Sequence, residues 1–93
     1  MDIIANQPYF TVTRFIDGIV QYQKEEQHEI TLSSNFVCTS NDTFLMEEVL
    51  DMSFRAFADK MGFLYLHTIK GMYSYTVKTR PDTFINEFKQ LKS

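Results

Sequence analysis

Apolar and polar residues alternate at short range over the first third of the chain. Residues 9–16, Tyr-Phe-Thr-Val-Thr-Arg-Phe-Ile, are rich in β-branched and aromatic types, and a second such run, Ile19 to Gln23, follows Asp17-Gly18. An Asp-Gly pair between two such runs predicts a β-hairpin, because a type I′ turn needs positive φ at both central residues. Lys24 to Gln27 then reads as a polar connection. Glu29 to Thr39, with Ile30, Leu32, Phe36 and Cys38 separated by polar residues, reads as a third strand.

The spacing changes after Ser40-Asn41-Asp42-Thr43, a run of helix N-cap types. At 100° per residue, Leu45, Met46, Val49, Leu50, Met52, Phe54, Ala56, Phe57 and Met61 fill a wide arc, with Glu47, Glu48, Asp51, Arg55 and Asp59 opposite. This predicts a long helix from about Thr43 to Met61, closed by Gly62. Alternation returns in Phe63 to Ile69 and Met72 to Lys78, a second hairpin about Lys70-Gly71. With a two-residue loop, Thr68 faces Tyr73, Leu66 faces Tyr75 and Leu64 faces Val77. Arg80-Pro81-Asp82 opens a last helix with Phe84, Ile85, Phe88 and Leu91 on one side.

The element order is thus β-β-β-α-β-β-α, an α+β domain with one antiparallel sheet made of two β-hairpins plus one strand, and with a long central helix and a C-terminal helix on one face. Two packed ββα halves are the alternative. Asp42-Thr43-Phe44 recurs as Asp82-Thr83-Phe84, although hairpin turns and helix caps reuse the same few residues in any case. The 93 residues make one domain, 1–93; 44% are hydrophobic, and three Gly and two Pro argue against disorder.

Charge sharpens the picture. The net charge of −3 excludes a generally basic nucleic-acid binder, yet it is unevenly spread. Residues 1–59 carry three cations against ten acids, and residues 60–93 carry six against two. The halves attract within one fold, or they steer a partner. A lone cysteine, Cys38, permits no intramolecular disulfide and fits a reducing compartment. No run resembles a signal peptide or approaches the roughly 20 apolar residues that cross a bilayer, so a cytoplasmic location is expected.

Candidate chemistry is sparse. Cys38 falls on the apolar phase of its strand, apart from His28 and His67, so no nucleophile stands beside a base. Two His and one Cys do not make a metal site. Glu47, Glu48, Asp51 and Asp59 fall on an exposed stripe, where carboxylates keep ordinary acidity. No glycine-rich phosphate loop is present. The expectation is a non-enzymatic chain without a cofactor.

What remains is the second hairpin. Its face bearing Tyr65, His67, Ile69 and Met72 is too apolar to be left in water and is the expected contact for a protein partner or a second copy of the chain. The function this supports is a small accessory protein that binds and regulates or inhibits a protein partner. Its size and dense aromatics are typical of compact accessory proteins, including many from phages and mobile elements. A homodimer is expected as well, from that face and from the wide apolar arc of the long helix. The alternative is a nucleic-acid binder that stacks bases and meets phosphates with Tyr65, His67, Lys70, Tyr73, Lys78 and Arg80.

Overall fold

The computed structural model describes residues 3–92. The chain forms β1 (Ile3–Asp17), β2 (Val20–Ser33), β3 (Phe36–Cys38), β4 (Thr43–Leu45), a single 3₁₀ turn (Met46–Glu48), β5 (Val49–Ala56), β6 (Gly62–Thr68), β7 (Gly71–Val77) and α1 (Asp82–Lys92). All seven strands belong to one antiparallel sheet in the order β4-β3-β2-β1-β7-β6-β5.

The expected β-β-β-α-β-β-α layout is therefore wrong in its middle. No helix spans residues 43–61, and two ββα halves do not exist. The residues Asp51-Met52-Ser53-Phe54-Arg55-Ala56 alternate with period two as well as fitting a helical arc, and pairing with β6 selects the strand. Met52 and Phe54 turn inward opposite Leu66 and Leu64, while Asp51, Ser53 and Arg55 turn outward. The presumed N-cap residues instead close the β3–β4 turn. The Thr39 backbone N–H donates to the Asp42 carbonyl at 2.8 Å, and the Thr39 hydroxyl accepts from Asp42 N at 3.0 Å. Ser, Thr, Asn and Asp serve either role.

Both hairpin turns sit one position from where the sequence placed them. The first loop is Gly18-Ile19, with Asp17 paired to Val20. Only Gly18 has positive φ, at 65°, which is the requirement of a type II′ rather than a type I′ turn. In the second, Thr68 pairs with Gly71, Leu66 with Tyr73 and Leu64 with Tyr75. The glycine takes φ 125° just after the Ile69-Lys70 turn. The register is two positions from the expected one, an even shift, so each side chain keeps its anticipated face. Cys38 does not. A tight turn at Ser34-Asn35 resets the phase, so Val37 lies inside opposite Leu32, and Cys38, opposite Thr31, faces outward and is half-buried.

One hydrophobic cluster fills the inner face: Tyr9 from β1, Ile30 and Leu32 from β2, Val37, Phe44, Val49, Met52, Leu64, Leu66 and Val77, with Phe84, Ile85 and Phe88 from α1. The last helix forms where the sequence placed it, with Leu91 packed at the edge of the cluster. Asp82 in its first turn and Lys89 and Lys92 in its last suit the helix dipole. Lys92 also donates to the Met46 carbonyl at 3.0 Å.

Two positions at the core have unusual surroundings. Tyr75 packs edge-on against Tyr9, at 4.9 Å between centroids, with its hydroxyl buried and lacking a well-formed hydrogen bond. Burial pushes its pKa up from 10.0 to about 12, and the nearby Thr39 side chain offsets only part of that. The folded state therefore holds this proton more tightly, and stability falls as pH rises from about 10 to about 12. Gly62 is buried where a Cβ would collide with the Arg55 carbonyl, the Phe54 ring and the Ala56 Cα.

Replacing Tyr75 with Phe should leave stability at pH 7 unchanged or raise it by up to about 1 kcal/mol, and should flatten the loss between pH 10 and 12 in urea titrations. A Tyr75→Phe chain with an unchanged alkaline profile would show that the phenol is not the titrating group. Gly62→Ala should lower the urea midpoint, at a cost of about 1–3 kcal/mol.

Candidate functional site

The outer face of β5, β6 and β7 carries an aromatic ladder. Phe57, Phe63, Tyr65 and His67 follow one another at centroid separations of 5.0, 6.2 and 6.5 Å. Alternation puts Phe63, Tyr65 and His67 on one side of β6, and Met72 lies directly opposite His67 on β7. Ile69 stands in the turn at the end of the same hairpin. The four residues expected to form a contact face, Tyr65, His67, Ile69 and Met72, are thus close together, with Ile69 and Met72 exposed and Tyr65 and His67 half-buried.

Of the set proposed for nucleic acid, Tyr65 and His67 lie in this ladder and Lys70 follows Ile69 in the turn. Tyr73 points inward, 4.9 Å from the Phe44 ring. Lys70 lies 3.8 Å from Glu48. Lys78 is bonded to Glu25 and sits 4.4 Å over the Phe10 ring. Arg80 donates to Asp82 at 2.9 Å and covers Phe54. Each of these three cations stands beside a carboxylate of its own chain, which offsets part of its charge.

Ser53 was hidden inside the expected helix. In β5 it faces outward, and its hydroxyl lies 2.9 Å from His67 Nε2. A serine beside a histidine is the start of a nucleophilic pair. Here it sits on an open sheet surface outside the two clefts described below, and the pair orients the imidazole within the ladder. His28 is placed by Tyr9, Thr11 and Glu26 on the inner face of the β1–β2 hairpin, apart from His67. No group of metal-ligating side chains occurs among the described residues.

The most exposed apolar surface lies elsewhere. Beyond Phe10↔Thr76 on one side and Thr31↔Cys38 on the other, β1 and β2 pair only with each other. At about 3.3 Å per residue a 15-residue strand runs about 50 Å, which accounts for the molecule's 52 Å length. The outer half of this hairpin is an arm. Phe15 and Tyr22, stacked at 5.2 Å, mark one of its faces and Ile16 the other. Ile19, in the turn, is fully exposed; Ile16 is 74% and Val20 58% exposed. Arg14, Phe15, Ile16, Gln21, Tyr22 and Gln23 line a cleft of about 470 Å³ along the arm. A second, more open groove of about 510 Å³ runs between Met46 and the end of α1. The adjacent pairs Phe15-Ile16 and Ile19-Val20 were the readable signal, since neighbouring apolar residues on a strand must face opposite ways.

No helix among the described residues is long and apolar enough to cross a membrane. Comparison with known protein families, curated proteins and solved structures finds no match to this chain.

The arm tip touches no part of the core, so replacing Ile16 and Ile19 together with Asp should change stability by no more than about 0.5 kcal/mol per site while lowering the fluorescence of an apolar dye such as ANS. A collapse of the urea midpoint would show that the tip is packed against the body.

Proposed function

We propose that this chain is a non-catalytic accessory protein that regulates or inhibits a protein partner by placing the β1–β2 arm in an apolar cleft of that partner. The observation that carries this reading is the arm itself: Phe15, Ile16, Ile19, Val20 and Tyr22 are held out in water at the end of a long ribbon. A two-stranded ribbon is marginal in water unless something covers it. Both strand edges are free over the distal half, so a partner strand can add to either one, with the side chains giving specificity.

The arm carries Arg14 and Lys24 against Asp17, Glu25 and Glu26, a nearly neutral set, so burial of its apolar side chains supplies the attraction. Burying an Ile or Val contributes about 1.5–3 kcal/mol, and three such residues crowd the tip. A chain of this kind acts by occupying its partner's cleft or by favouring one of the partner's conformations. The lone Cys38 suits a reducing compartment such as the cytoplasm. The internally paired cations count against nucleic acid as the ligand.

The test is affinity capture from a native lysate with three immobilised chains: wild type, Ile16→Asp/Ile19→Asp, and Met72→Asp on the ladder face. A partner held by the wild type and by Met72→Asp but lost from the arm variant supports insertion of the arm. A partner lost only from Met72→Asp would move the site to the ladder, and retention by all three chains would dismiss both surfaces.

A further inference from the structure

We infer that the free edge of β5 is a self-complementary seam at which two copies of this chain pair, strand against strand, about a two-fold axis through Ser53. The strand ends the sheet and pairs on one side only, with β6. An eight-residue edge leaves a row of backbone groups unmatched, and such an edge is a template for another strand. The opposite edge, β4, has three residues and offers little.

The occupant is indicated by the order of charges. In antiparallel pairing centred on Ser53, Ser53 meets its own counterpart, Met52 meets Phe54, and Asp51 of one copy faces Arg55 of the other, twice. Directly opposed side chains on one face lie about 4.5–5.5 Å apart at Cβ, where opposite charges attract and like charges repel. Asp51 and Arg55 are both exposed, and neither makes an ion pair or side-chain hydrogen bond within the described residues. By contrast, Glu25, Glu26, Glu48 and Asp82 are each matched by a cation of the same chain. A strand whose charges reverse sign about its midpoint fits itself in the antiparallel sense, as a closed two-fold interface requires.

The ladder of β5 slips between Val49 and Asp51, so the regular self-paired run is Asp51 to Arg55, with the exposed Leu50 and Phe57 flanking its two ends. The homodimer expected from the sequence is thereby placed on a different surface. The wide helical arc that argued for it does not exist. The seam is independent of the arm, because β1 and β2 are separated from β5 by β7 and β6.

Sedimentation velocity on the purified chain at tens of micromolar, about the range in which a weak dimer forms, should give a dimer. Asp51→Arg and Arg55→Asp, each alone, put like charges opposite each other twice and should weaken it by about tenfold or more. Mixing those two variants restores both attractions and should produce a heterodimer, and the double reversal in one chain should dimerise like the wild type. Should a reversal variant fold poorly by circular dichroism, Ser53→Cys in a Cys38→Ser background supplies a separate reading, since a cysteine on the axis should cross-link within the pair under mild oxidation. A monomeric wild type would overturn the inference. So would a dimer indifferent to both single reversals, or a Ser53→Cys chain that stays uncross-linked. The Ile16→Asp/Ile19→Asp chain should remain dimeric, so loss of partner capture and loss of the seam are separately visible.

Discussion

Everything in this molecule hangs on β1. It is the one strand with neighbours from both parts of the sheet: β2, β3 and β4 build outward from one edge, and β7, β6 and β5 from the other. Its pairing with β2 runs unbroken from Ala5↔Leu32 to Asp17↔Val20, whereas its ladder to β7 is a single bridge, Phe10↔Thr76. Side chains complete that weak join. Gln7 donates to the Thr79 hydroxyl at 3.1 Å, Lys78 joins Glu25 across it, and Tyr9 meets Tyr75 beneath it. The helix contacts both β1 and β5 and so spans the interior that the join encloses.

That arrangement explains which parts of the fold were legible. Pro81 and the apolar positions Phe84, Ile85, Phe88 and Leu91 marked α1, because a terminal helix with one apolar side has no competing period. The hairpins were marked by their glycines. Their faces survived a shift of register because strand parity tolerates an even error. The segment 43–61 was misread for a physical reason: so many of its positions are apolar that they satisfy helical and strand spacing together. The decision falls to β6, a partner that the local pattern does not contain.

The candidate surfaces follow the same division. Tyr65, His67 and Met72 share a face because they alternate along a hairpin that the sequence displayed, and Ile69 adjoins them in its turn. Ser53, Asp51 and Arg55 were concealed, being assigned to the wrong element; on a helix at 100° per residue, Asp51 and Arg55 form an ordinary adjacent pair on one stripe. Only on a strand do they stand on either side of Ser53 with opposite sign. The arm was concealed by Lys24 to Gln27, a polar run read as a connection although it continues β2. That stretch is exposed and its contacts are ionic, Glu25 with Lys78 and Glu26 with Lys24, so polar residues suit it.

The single bridge between Phe10 and Thr76 also bears on how the chain acquires its shape. The contacts of β1–β2, β5–β6 and β6–β7 lie close in sequence around their turns, and such hairpins form in about 1–10 μs. Phe10 and Thr76 lie 66 positions apart, and bringing them together costs the loop entropy of that span before any long-range contact repays it. In a chain of otherwise local pairings, the closing of this one distant join is the step that topology makes slow. Joining the two wings into one seven-stranded sheet is thus the step that carries the largest loop-entropy cost.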